Sequence, residues 1–287
     1  MEKRSIVSIQ KPEYLRLGGM TIAQALPNQE IEQADPFLLL HHAGPVMLKP
    51  EFANFYVGPH PHRGFEPITF LFQGGVRHKD SLGNDSSIQA PGVQWITASR
   101  GIIHSEQSSD EFKENGGNFE LIQLWVNLPA AQKMIPPAYQ KAETEELPLI
   151  EFNNQQSGKV YLVSGEQQGK RGPINSLTGI RSYMGFLESN ETLELNLNLD
   201  STTLIYVLEG NIAIGNQEVK SKELAILDQK GSQLKLESLE HSRVLILEGN
   251  PLEEEVVSWG PYVMNTQREI MEAMRDYNMG KMGFLAD

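Results

Sequence analysis

The chain has 287 residues, 39% of them hydrophobic and 21% charged, with no cysteine and a formal net charge of −13. That apolar content can build real cores, which excludes a disordered chain, and the length suits two ordinary domains. The acidic balance argues against a general nucleic-acid binder, which needs a basic surplus, and the lack of thiols excludes disulfides, zinc fingers, iron–sulfur clusters and cysteine nucleophiles.

Met1-Glu2-Lys3-Arg4-Ser5 holds no apolar signal-peptide core, and no apolar run approaches the ~20 residues that span a bilayer. A cytoplasmic protein, expected as a monomer, is the starting expectation. His41 and His42 are neighbours, so on a strand they point to opposite faces and at most one can look inward. His60-Pro61-His62 follows, with two metal-competent side chains at i and i+2. Short apolar runs at 68–72, 94–97, 121–126, 160–163, 203–208 and 244–247 alternate with Gly, Asn and Asp turns. That rhythm predicts an all-β chain of sandwiches or barrels.

His78 falls in a stretch that reads as a solvated hairpin tip, and His241 as a surface residue. His104-Ser105-Glu106 repeats the i, i+2 donor spacing. Residues 127–148 carry Pro129, Pro136, Pro137 and Pro148 with three glutamates, which predicts a crossover linker. Near the end, Thr266 to Glu269 fits a capping box. Ile270, Met271, Met274 and Tyr277 follow at helical spacing, and Gly280 can close the helix. The reading is one helix over 266–279 whose Met/Tyr stripe packs on a β-core.

Residues 68–76 (ITFLFQGGV) match residues 204–212 (LIYVLEGNI) at an offset of 136, which suggests a duplicated barrel. At that offset His60 and His62 fall on Asn196 and Asn198. After a gap, His104 and Glu106 fall on Leu234 and Leu236. Candidate ligands are therefore expected in the first copy alone. The resulting division is residues 1–135 as an N-terminal metal-binding barrel and 136–287 as a C-terminal barrel without ligands.

Two strands that each present donors at i and i+2 can aim three imidazoles and one carboxylate at one point. His60, His62, His104 and Glu106 are the expected metal ligands, a set suited to one divalent transition metal: Fe(II), Mn, Ni, Cu or Zn. Glu66 is a rival carboxylate, since it shares the parity of His62, although a bulge at Gly64 could flip it. Failing ligation, it reads as an acceptor for a ligand imidazole or for Arg63. No nucleophile elbow, phosphate loop or dinucleotide fingerprint is present, so acid–base work falls to Glu106.

The stretches DPFLLL (35–40), PHPHRGFE (59–66), HKDSLGN (78–84), PGVQWITASRGIIHSE (91–106) and GPYVMNT (260–266) resemble the pirin family of the cupin superfamily along nearly the whole chain. The resemblance implies a bicupin: two β-barrel domains of the double-stranded β-helix type with a short C-terminal helix, and metal in the first barrel on His60, His62, His104 and Glu106. Fe(II) is the first expectation, with Co added to the alternatives. It also implies quercetin 2,3-dioxygenase activity, in which Glu106 accepts the flavonol 3-hydroxyl proton and O2 opens the central ring. Phe55, Phe65, Phe70 and Trp95 are expected wall residues for the polyphenolic substrate. The alternative implied by other relatives is a non-catalytic metal-binding regulator with a protein partner. His41-His42 stands where many relatives are expected to carry an acidic residue.

Overall fold

The structure, a computed structural model, describes residues 2–17, 19–152 and 157–285. It is mostly strand and forms two cupin barrels, as expected. The chain divides into two compact units. One comprises Leu15–Ile22, Phe37–Thr144 and Leu252–Asp287; the other comprises Met1–Tyr14, Ala23–Pro36 and Glu145–Pro251. The units are thus not the contiguous halves 1–135 and 136–287. Each takes chain from both ends, because the strand Ile6–Gln10 pairs with Leu224–Leu227 and residues 261–263 bond to Arg63.

The histidine-bearing unit has one sheet in the order Tyr56–His62, Ile102–Ser108, Gly75–Asp80, Asp85–Gln89. A larger sheet runs Ala138–Ala142, Gly92–Thr97, Phe65–Gln73, Gly117–Asn127, Phe37–Leu48. Ala138–Ala142 lies inside the expected linker but pairs with Gly92–Thr97 as an edge strand. The flanking prolines obscure this strand in the sequence. A second, short helix, Asp110–Asn115, starts where Ser109 Oγ accepts the Phe112 N–H.

The other unit repeats the arrangement. Leu224–Leu227, Thr202–Glu209, Ser242–Gly249 and Arg181–Leu187 run in one sheet, and Thr192–Asn196, Gln233–Ser238, Asn211–Ile214 and Gln217–Lys220 in the other. Its interior is closed by apolar side chains: Leu193, Leu195, Leu197, Leu234 and Leu236 join one buried cluster. Each such leucine stabilises the fold by about 1.5–3 kcal/mol. Asn196 and Asn198 are exposed, so the repeat alignment is one residue out of phase on this strand, and a one-residue slip exchanges the faces. Leu234 and Leu236 point inward as aligned.

The C-terminal helix spans Gln267–Asn278. Thr266 Oγ1 accepts the Glu269 N–H, and Glu269 reaches back to the Asn265 N–H. The Met/Tyr stripe does not pack as expected. Ile270 and Ala273 are buried with Ile103, Tyr262, Met264 and Met282, while Met271 and Met274 are 64% and 42% exposed. The buried seam runs through Ile270 and Ala273, three positions apart, so Met271 and Met274 fall outside it. Among the described residues no helix is long and apolar enough to cross a membrane.

Candidate metal centre

The strands Tyr56–His62 and Ile102–Ser108 pair antiparallel with His104 directly opposite His60. The i, i+2 spacing puts His60 and His62 on one face. Ligand nitrogens of His60, His62 and His104 lie within 4.8 Å of one another. Ring centroids are 4.3 Å apart for His60 and His104 and 4.9 Å for His62 and His104.

Burial, then the neighbouring imidazoles, hold His104 well below the ordinary histidine range. Burial and His60 do the same to His62, against a smaller opposing effect of the Pro261 carbonyl. Neutral imidazoles are the form that binds metal. His60 Nδ1 donates to the Gly58 carbonyl at 2.9 Å; a carbonyl only accepts, so Nε2 keeps its lone pair. His104 is 1% exposed and neither of its nitrogens has a hydrogen-bond partner. A buried polar group without a partner is costly, and a metal ion would satisfy it. The donor set fits a transition metal.

Glu106 lies outside the trio whose nitrogens fall within 4.8 Å of one another. Its Oε1 accepts from Gln94 Nε2 and, at 3.3 Å, from Thr69 Oγ1. A bulge falls between His104 and Glu106, where Gly58 and Pro59 of the partner strand oppose Ser105 alone. Glu66 lies elsewhere. Gly64, at φ +90°, breaks the strand, and Glu66 then follows the opposite parity, fully buried and bonded to Thr97 Oγ1 at 2.7 Å. Burial pushes its carboxyl up to about 7.

His78 is not at a solvated tip but fully buried in Gly75–Asp80, opposite Glu106. Its ring stacks on Tyr139 at 4.3 Å, and its Nε2 donates to Asp80 at 2.9 Å. Asp80 also accepts the N–H groups of Leu82 and Asn84, so the HKDSLGN stretch builds its turn around this carboxylate. Burial would raise the Asp80 carboxyl, but these bonds hold it below its usual value. His241 is exposed, as expected. His42 is fully buried against Glu120 at 3.1 Å, whereas the half-buried His41 takes the other face, pushed down to about 4 by burial.

Of the expected wall residues, Phe65 meets the His62 ring at 5.1 Å and Phe55 packs on Phe119 at 4.8 Å. Phe70 and Trp95 are next to Thr69 and Gln94 in sequence, so they occupy the face turned away from Glu106. The face turned toward it carries Leu39, His41, Gln123 and Trp125, all half-buried. Trp125 reaches the His62 ring at 5.5 Å. Sequence reasoning missed Thr69, Gln94, Gln123, Leu39 and Trp125. The available signal was polar residues at the same parity inside apolar strand runs.

The C-terminal segment supports His62 from behind. Arg63 Nε donates to Arg100 O at 2.6 Å and its guanidinium pairs with Asp276 at 3.1 Å. Buried Lys133 Nζ donates to Gly64 O, Asn127 Oδ1 and Val263 O at 2.7, 2.6 and 3.1 Å.

The Pirin family profile matches residues 19–126, and the pirin C-terminal cupin domain matches residues 184–283. The chain belongs to the pirin family. Human pirin is 31% identical over 98% of this chain and 94% of its own length. A Pseudomonas aeruginosa protein whose name provisionally assigns it quercetin 2,3-dioxygenase activity is 36% identical over 87% of each chain. A solved structure titled quercetin 2,3-dioxygenase, from Acinetobacter baumannii, superposes with a TM-score of 0.92 at 36% identity. It covers 99% of this pirin and is itself covered in full. An Escherichia coli pirin solved with nickel(II) shares the fold, with a TM-score of 0.66 at 18% identity.

Proposed function

We propose that this pirin is a metal-dependent dioxygenase that opens the central ring of flavonols such as quercetin. The observation that carries the reading is the buried His104 with two unpartnered nitrogens inside a cluster of three imidazoles. His60, His62 and His104 would hold one divalent transition metal, Fe(II) first, with Glu106 within the same face as a fourth donor. When bound, such a metal supplies Lewis-acid and redox chemistry toward a flavonol and O2.

The protein's own residues do the rest. Glu106 takes the proton of the flavonol 3-hydroxyl, a general-base role that needs a carboxylate held within hydrogen-bond reach. Trp125, Leu39 and Phe65 give the aromatic rings an apolar wall, as small-molecule sites usually do. The neutral His41 and Gln123 offer hydrogen bonds to substrate hydroxyls. The likeness to the Acinetobacter enzyme supports this reading. The test is aerobic turnover of quercetin by the metal-loaded protein, with O2 consumed and carbon monoxide released in equal amounts. Metal-replete protein that consumes no O2 with a panel of flavonols removes it.

A second reading, a metal-tuned binding protein, is favoured by the apolar surface around the C-terminal helix. Trp259, Met271, Met279 and Phe284 are 65%, 64%, 62% and 83% exposed, and exposed apolar clusters mark interaction sites. A pull-down whose yield is the same for apo and metal-loaded protein would remove the metal-tuned form of this idea.

A further inference from the structure

Thr69, Gln94 and Gln123 lie side by side across three neighbouring strands, on the face turned toward Glu106. Their hydrogen bonds have a forced direction. Gln94 Nε2 donates to Thr69 Oγ1 at 3.2 Å and also to Glu106 Oε1. Gln123 Nε2 donates to the same Thr69 oxygen at 3.1 Å and to the Ile68 carbonyl at 3.0 Å. A threonine hydroxyl has two acceptor sites and one hydrogen. Both acceptor sites are filled by amide donors, so the hydrogen has one remaining use: it points at Glu106 Oε1, 3.3 Å away.

Glu106 Oε1 therefore receives two donors fixed by a sheet, and Oε2 lies outside this network. The Gln94 carboxamide cannot turn over to present its oxygen, since that would remove the donors for both Thr69 and Glu106. The cradle is specific for an acceptor.

We propose that Gln94 and Thr69, with Gln123 setting the polarity of Thr69, form a latch that holds Glu106 Oε1 off the metal. The latch competes with the metal for Oε1 and leaves Oε2 as the oxygen that can ligate. It keeps Oε1 available to substrate, where ligation through both oxygens would consume it. Gln94, Thr69 and Gln123 are positioning residues: they act through Glu106. This inference rests on the metal reading above and adds to it the group that decides how Glu106 divides its time.

The test measures metal affinity rather than turnover. Co(II) binding to the full chain is followed by competition with a chelator and by visible absorption, which weakens as ligands are added to a tetrahedral ion. Gln94→Leu keeps the side-chain volume and deletes the donors; Thr69→Val deletes the hydroxyl alone and serves if Gln94→Leu does not fold. Either change frees Glu106, so Co(II) affinity rises about tenfold, or about 1.4 kcal/mol, and the absorption falls. Thr69→Ser restores native affinity. In a Glu106→Gln background the same substitutions leave affinity unchanged, because no carboxylate is left to release. Equal effects in both backgrounds, or none in either, overturn the latch while leaving the metal site intact. Native protein that binds no Co(II) overturns the metal reading and the latch with it.

Discussion

His104 faces His60 across an antiparallel ladder, their ring centroids 4.3 Å apart, and the buried His104 ring has no hydrogen-bond partner at either nitrogen. In metal-free protein this arrangement is a liability, since an unsatisfied buried polar group costs about 1–3 kcal/mol. Replacing His104 by Leu is expected to stabilise the apo protein by about 1–3 kcal/mol. The same change abolishes stabilisation by metal, which for the native chain should reach about 2.7 kcal/mol at a hundredfold excess over Kd. Anaerobic calorimetry with and without Fe(II) or Co(II) reads both effects. A His104→Leu protein whose melting temperature still rises with metal would contradict the site.

Glu66 predicts a pH dependence of stability. Its carboxyl is pushed up to about 7 by burial, above the value of about 4.3 in an unfolded chain. Between these values the folded state binds more protons, so stability is full at acid pH and falls as pH rises through 7. The full span amounts to about 4 kcal/mol, at 1.36 kcal/mol per unit. Glu66→Gln should remove this slope. Denaturation of chelator-treated protein at about pH 5 and about pH 8 gives the comparison. Parallel curves for native and variant protein would sink the prediction.

Lys133 has all three of its donors engaged by oxygens in different parts of the chain: Gly64, Asn127 and Val263. Burial lowers its ammonium to about 8. Lys133→Met leaves three buried acceptors without a donor and is expected to cost about 3–5 kcal/mol. Because Gly64 follows His62 by two residues, metal affinity should fall as well. Urea denaturation measures the first effect, and limited proteolysis near residues 252–285 shows whether the C-terminal segment loosens. Unchanged protease sensitivity would show that Lys133 does not hold it.

Trp125 contacts His62 and Phe65 with ring centroids 5.5 and 4.3 Å apart. If it walls the flavonol site, Trp125→Ala should raise the quercetin KM roughly tenfold with metal content unchanged. A variant that loses metal instead would show that the indole supports His62 rather than substrate.

The barrels, the duplication and the donor pairs are legible in the sequence because each follows from periodicity. His-x-His and His-x-Glu place donors on one face whenever the segment is a strand. The helix was legible in Thr266 and Glu269 because capping is a local hydrogen-bond pattern. Where the sequence reading failed, the deciding contact was distant. Glu66 shares parity with His62 on paper, but Gly64 at φ +90° resets the faces. His78 looked like a turn residue because Lys79 and Asp80 flank it, and only stacking on Tyr139 removes it from water.

By itself, then, the sequence determined the strand alternation and the pairing of donor residues within each strand. These depend on residues one or two positions apart. Tertiary structure alone decided that three imidazoles meet while Glu106 is drawn to Gln94 and Thr69, that the methionines of the helix face outward, and that Lys133 ties the C-terminal segment to Gly64. Each of those depends on strand register and on which side chain fills a given gap, and these are set when distant segments pack at fixed spacing.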